Sequence, residues 1–318
     1  MPFQPGSSNR TAIRVVPEAT FNTTPATPAF QNMRYTGESL VYNIKNIVSN
    51  EIRSDRSTAD LIQVGADISG DLNVELSFDS FKSLIEGAFC STFGAPVGTV
   101  STIKNGTALK SFTIQKHFQD LAVPIFQNFS GCRVGGMKLD FKTGSILTGS
   151  FSFMGCIATS GTAQIVGATF TDPGATSDVF NAVSNLVELE SDGVAMAAKV
   201  RSMTLELNNN LRAQEAIGVL GNVGIALGKL DITGNIELYF EDSVEYTKFL
   251  NNSAFAMSFK LLDAAGNYYL FTLPKVKYEE GTITSGQLDQ DLMVTGKWRA
   301  LYDSTAGCMI QLDSNDAP

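Results

Sequence analysis

The chain has 318 residues, 43% hydrophobic and only 17% charged, with 23 Lys and Arg against 32 Asp and Glu and a net charge of −9. This length holds one large or two medium domains, the scarcity of charge points to surface hidden against neighbours, and the acidic balance excludes a sequence-independent nucleic-acid binder, which needs clustered Lys and Arg to neutralise phosphates. The opening MPFQPGSSNR lacks the apolar segment of a signal or transit peptide and no later run reaches membrane-helix length, so a protein kept in the cytosol of its producer is expected.

In chain order, residues 1–37 read as an N-terminal arm with loop chemistry, because Thr24-Pro25-Ala26-Thr27-Pro28 cannot sustain a helix. Residues 39–44 alternate apolar and polar side chains, and a polar stretch with Arg53 and Arg56 separates them from a stronger strand signal. There Ile68, Leu72, Val74, Leu76 and Phe78 point one way while Ser69, Asp71, Asn73, Glu75 and Ser77 point the other, the period of two of a half-buried strand. Asp79 is placed to cap a short helix whose Phe81, Leu84, Ile85, Ala88 and Phe89 fall at helical spacing. After a long segment from Phe89 to Gly131, residues 137–141 and 147–151 read as strands. Gly161, Thr162, Gly167, Pro173 and Gly174 then mark a connection with loop chemistry.

The second half repeats the first. Residues 67–76 recur as 231–240, an offset of 164, and 39–44 recur as 202–207. Downstream, 137–141 match 274–278 and 147–151 match 294–298, so the offset falls to 137 at the first of these. Ile236, Leu238 and Phe240 oppose Asn235, Glu237 and Glu241, keeping the parity of the first copy; a slip of one residue would reverse it, so one buried face is retained in both. Asp242-Ser243 opens a weaker helix with Tyr246, Phe249 and Leu250. The expected organisation is an arm (1–37), a first unit (38–156), a connection (157–180) and a second unit (181–318). The fold class is all-β with minor α: two tandem antiparallel β-sandwich or half-open barrel units, each with one flanking short helix.

Taken together, Glu18-Ala19-Thr20 with Thr24-Pro25-Ala26-Thr27-Pro28, residues 49–56, residues 70–77, Gly131-Cys132-Arg133-Val134, residues 148–152, Asn208-Asn209-Asn210-Leu211 and Ala300-Leu301-Tyr302-Asp303 resemble the two-copy major tail tube proteins of siphophages. The likeness runs through nearly the whole chain in order and lies in the combination of segments. It implies a virion protein assembled in the host cytoplasm, without cofactor or membrane. Its rings stack into a hollow tube through which DNA leaves the capsid without specific binding, and three two-unit chains supply six quasi-equivalent positions. The implied partners are further copies of the chain and the tape-measure, terminator and distal tail proteins. In such a ring the polar strand faces bearing Asp71, Asn73, Glu75, Asn235, Glu237 and Glu241 are expected to line the lumen, and Arg53 and Arg56 to dock on an adjacent subunit or ring.

Catalytic readings fare poorly beside this. His117, the single histidine, has no accompanying nucleophile motif. Glu188 with Glu190, Glu241-Asp242 and Glu279-Glu280 could be drawn as glycosidase acids only if they shared a cleft, and solvated turns explain them better. Residues 218–224 have the wrong glycine spacing for a dinucleotide loop. Cys90, Cys132, Cys156 and Cys308 form no CxxC pair and read as buried thiols. The alternatives are a tail terminator or baseplate ring of the same fold and, from another class, a carbohydrate-binding or glycosidase β-sandwich. The second would need exposed aromatics, whereas Trp298 falls on an expected core face.

Overall fold

The computed structural model describes residues 6–172, 178–196, 198–285 and 288–315; Pro173 and Gly174 lie outside them. Alternating sequence becomes strand throughout. The first half contains β1 (Thr11–Pro17), β2 (Ala29–Asn32), β3 (Gly37–Glu38), β4 (Val41–Val48), β5 (Leu61–Glu75), α1 (Lys82–Phe89), β6 (Val100–Lys104), β7 (Phe112–Phe118), β8 (Ile125–Lys142), β9 (Thr148–Gly155), β10 (Ile157–Gly161) and β11 (Thr169–Thr171). The second contains β12 (Leu186–Ser191), β13 (Val194–Ala195), β14 (Val200–Asn208), β15 (Arg212–Gln214), β16 (Gly224–Ala226), β17 (Asp231–Tyr239), α2 (Val244–Leu250), β18 (Phe255–Leu262), β19 (Tyr268–Thr284), β20 (Met293–Ala300) and β21 (Gln311–Asn315). No helix among the described residues is long and apolar enough to cross a membrane.

The duplication is visible in strand pairing. β4, β5, β9 and β8 lie side by side and antiparallel, as do β14, β17, β20 and β19. Asn43 faces Asp67 as Asn208 faces Asp231, and Gly70 faces Phe153 as Gly234 faces Trp298. These pairings correct three expected matches: β4 and β14 correspond at a separation of 165 residues and not 163, β9 and β20 at 145 and not 147, and the third change is the largest. Val134 faces Phe153 as Tyr278 faces Trp298, so β8 corresponds to β19 at a separation of 144 residues and not 137. Short apolar–polar alternation matches itself at many even shifts, and the odd shift of seven at β8 arises because the bulge between Val134 and Gly136 reverses the alternation within that strand, whereas hydrogen-bonded register admits one match.

The two four-stranded sheets join edge to edge. β14 pairs antiparallel with the C-terminal half of β8, Leu205 opposite Leu139, making one eight-stranded inner sheet β4-β5-β9-β8-β14-β17-β20-β19. β8 and β19 are long enough to leave this layer and enter a second one. Their N-terminal halves pair with β7 and β10, and with β18 and β21, each beside a bulge that turns the strand. Side chains between the layers form one apolar cluster spanning both units, with Trp298, Phe151, Phe259 and Phe271 at 1% exposure or less.

Several segments read as loops are strands of these outer layers. The arm supplies β1, which adds to β7, and β2, which adds to β1, and the connection supplies β10 and β11, which add to β8 and β2. The loop chemistry lies between these strands, at residues 24–28 and 162–167; β1, with Ile13, Val15 and Val16, carries strand formers of its own, whereas the short β2 and β10 gain their conformation by pairing to an existing edge. The extra segment of the first unit supplies β6, which pairs with β21 and so completes the outer layer of the second unit.

The helices also differ in detail from expectation. Asp79 has φ 60° and does not cap α1; Phe81 occupies the cap position without a side-chain bond. Before α2, by contrast, the Asp242 carboxylate accepts the Val244 N–H at 2.9 Å. Ser77 turns inward, bonded to the Ser80 hydroxyl at 2.8 Å, because the strand has ended at Glu75.

Candidate functional site

One face of the inner sheet covers the core and the other is polar. A row of neighbours crosses the polar face from the first unit to the second: Asn73, Ser150, Lys138, Glu206, Thr233 and Arg299. Asp71 and Glu75 flank Asn73 on this face, and Asn235 and Glu237 lie on its continuation. The expected lining residues of both copies therefore share a surface, with one exception: Glu241 lies beyond the end of β17, in the turn before α2, where its N–H bonds the Tyr239 carbonyl. Ion pairs mix the charge of this face. Lys138 meets Asp140 at 3.0 Å, Arg201 meets Glu237 at 3.5 Å, Lys297 meets Glu279 at 3.8 Å, and Arg299 bonds both Glu279 and Asp231. Exposed pairs of this kind add little stability, but they leave acidic groups accompanied by fixed cations.

Beyond the Asn43–Asp67 pair, β4 and β5 continue as a ribbon. Ile44, Ile47, Val48, Leu61, Ile62 and Val64 are each half exposed or more, an apolar exposure that a lone subunit gains nothing from. At its tip Arg53 holds Asp55 through both carboxylate oxygens at 3.1 and 2.9 Å, and Arg56 sits at φ 61°. Arg53 is thus partnered within its own loop.

The equivalent stretch of the second unit folds over instead. After Asn208 the chain bends and forms the β15–β16 hairpin against the first unit. Buried Asn209 fixes the bend, its amide donating to the carbonyls of Ala88 and Val134 at 2.9 and 3.2 Å. The hairpin is then tied down by Ala66 N–H to Leu220 O at 2.8 Å, Lys45 to Glu215 at 2.9 Å, and the Asn222 amide to Gly155 O at 2.9 Å. Sequence reasoning quoted Asn209 without assigning it a role. Its counterpart Ile44 emerges only from the strand pairing, because the sequence match sets Ile44 against Leu207; the signal in the sequence is the polar run Asn208-Asn209-Asn210 that ends the alternation of β14.

The chemical alternatives dissolve into structure. The His117 ring stacks on Phe126 with centroids 4.2 Å apart, and burial with nearby Arg14 lowers its pKa. Glu188 pairs with Lys260, Glu190 accepts from Ser258, and Glu279 and Glu280 both face Lys297. Gly221 allows the folded hairpin to approach closely: a Cβ there would lie 2.4 Å from the Cys156 carbonyl oxygen. All four cysteines are free and buried, and burial pushes the Cys156 thiol up to about 11. No group of His, Cys, Asp and Glu suited to a metal occurs among the described residues. Trp298 is fully buried.

Compared with protein families, residues 8–300 match the family described as phage tail tube protein. No curated protein matches the chain.

Proposed function

The chain belongs to the phage tail tube protein family, and from this we propose that it forms the tube of a siphophage tail as stacked rings of three copies, a conduit for DNA ejection. The observation that carries the reading is the β8–β14 seam: two equivalent sheets already join edge to edge within the chain, and the outer edges, β4 and residues 277–284 of β19, are the same two edges left over. Repeating the seam between copies continues the sheet and removes both unpaired edges by closure. Three copies then present six sheet units around one channel, with the polar face inward and the apolar ribbon 44–66 reaching a neighbouring subunit or ring.

On this reading the protein is structural and not an enzyme, and its partners are its own copies together with tape-measure, terminator and distal tail proteins. Negative-stain microscopy of concentrated protein, with mass measurement of cross-linked rings, tests it. Rings of three chains are expected; a single-layer ring of six whole chains would sink the pseudo-sixfold arrangement. Dominance of the chain in purified tails distinguishes a tube subunit from a terminator or baseplate ring.

A further inference from the structure

Strand pairing converts the seam inside the chain into a specific register between chains. In the inner sheet, Leu205 faces Leu139, Met203 faces Phe141 and Leu207 faces Met137. The corresponding residues at the free edges are Leu40 and Ile283, Glu38 and Ser285, and Tyr42 and Gly281. We propose that β4 of one copy, with the residues leading into it from Glu38, pairs antiparallel with residues 277–285 of a second copy in this register, and that the Glu38–Lys116 pair, with its ammonium buried and its carboxylate half-buried, makes the edge selective for the strand bearing Ser285. The proposal rests on the ring reading and adds to it the register and the source of selectivity.

The floors beneath the two seams differ in charge at one place. Phe112 faces Cys132 and Lys116 faces Gln127, just as Phe255 faces Val276 and Phe259 faces Phe271, so Lys116 stands where the second unit has Phe259. In the second unit buried Met203 and Phe259 make an apolar floor. Phe141 crosses the seam onto it, its ring 5.1 Å from that of Phe259 and inclined at 73°. In the first unit the same floor is charged. The buried Lys116 ammonium lies 2.5 Å from Glu38 Oε2 and 2.6 Å from the Leu40 carbonyl oxygen, and Glu38 Oε2 accepts the Leu40 N–H at 2.9 Å.

These bonds satisfy both charges and the backbone of the edge residue, and inward-pointing charge is a known protection of unpaired edges. An aromatic ring pressed onto the pair would displace charged hydrogen bonds without replacing them, whereas a serine hydroxyl can both donate to the carboxylate and accept from the ammonium. Around this polar point the surface is mixed. Apolar Leu40, Tyr42, Phe129 and Ala158 and polar Gln127, Thr159 and Ser160 together line a groove of about 280 Å³ beside β4, and Ile283 is 36% exposed. The first unit's edge therefore takes the second unit's free strand as its neighbour, and with β8 already paired to β14 inside each chain the units alternate around the ring.

Complementary substitution tests the selectivity. Ser285→Phe is expected to raise the concentration for half-maximal ring formation by about tenfold, and adding Glu38→Met and Lys116→Phe to return it to within about threefold of the parent. Parent-like assembly of Ser285→Phe, or a folded triple variant no better than Ser285→Phe, overturns the selectivity. Should the triple variant not fold, Ser285→Ala replaces it, and must assemble more readily than Ser285→Phe. For the register, Leu40→Cys with Ile283→Cys should oxidise to covalent oligomers ending at trimers, since facing antiparallel residues lie within disulfide reach; Tyr42→Cys with Ile283→Cys should not. A link only in the shifted pair, with rings still visible, overturns the register and leaves the ring reading standing. Absence of rings and tubes in the parent at every concentration overturns both.

Discussion

At the scale of single residues, the repeated glycines Gly70 and Gly234 show what the duplication preserves. A Cβ at Gly70 would lie 2.4 Å from the Ser39 carbonyl oxygen, and one at Gly234 would lie 2.0 Å from that of Thr204 and 2.2 Å from the Trp298 ring. Ser39 and Thr204 are themselves equivalent positions, so in both units the strand preceding the ribbon or hairpin crosses the next one at a distance only glycine permits. Gly70→Ala and Gly234→Ala are each expected to cost roughly 3 kcal/mol, because the clash is with backbone that cannot rotate away. Gly161→Ala, with open space around it, should change stability by no more than about 0.5 kcal/mol. Thermal unfolding of the three variants checks this, and a tolerated Gly234→Ala would contradict the close crossing.

At the scale of elements, the ribbon and the folded hairpin are two outcomes of one excursion between equivalent strands. The bend depends on Asn209, whose amide fills two carbonyls that Ile44 could not reach in the other copy. Asn209→Ala is expected to lose about 1–2 kcal/mol and to speed hydrogen exchange across residues 210–226, leaving the 44–66 ribbon unchanged. Unaltered exchange in the hairpin would show that the Lys45–Glu215 and Asn222 contacts suffice without the bend.

These elements also show where sequence reading succeeds. The α1 face of Phe81, Leu84, Ile85, Ala88 and Phe89 and the buried parity of β5 were legible because each follows its own period and is buried as expected. The outer-layer strands were not, since β2, β10 and β11 are only three to five residues long and owe their conformation to partners far away in the chain. The polar face was legible as alternation, but Glu241 continues the alternation after the strand itself has stopped. The Glu38–Lys116 pair was invisible: its members are 78 positions apart and meet only because β3 ends beside β7.

At the scale of the whole molecule, the eight-stranded sheet turns a local polar pattern into a continuous wall. In the proposed ring, carboxylates on this face would repel DNA phosphates within about a Debye length, roughly 8 Å at physiological salt, while fixed cations such as Lys138 and Arg299 would moderate the field. Replacing Glu75 and Glu237 together by Lys is expected to leave tubes able to form and to slow DNA ejection, most visibly at low salt, because cations that contact phosphate bind it tightly when counterions are scarce. Normal ejection by such tubes would place these residues away from the channel. The β6–β21 pairing carries a different consequence, one of timing. Val100 faces Asn315 in that pairing, so β6 leaves the ribosome some two hundred residues ahead of its partner; at translation rates of about 5–20 residues per second it waits on the order of 10–40 s. A nascent chain can thus complete its first core early and join its second sheet to it through β14, yet the last link between its two halves waits for one of the last strands to be made. The polypeptide becomes a finished building block in one late step, after which neither half can be withdrawn without opening the other.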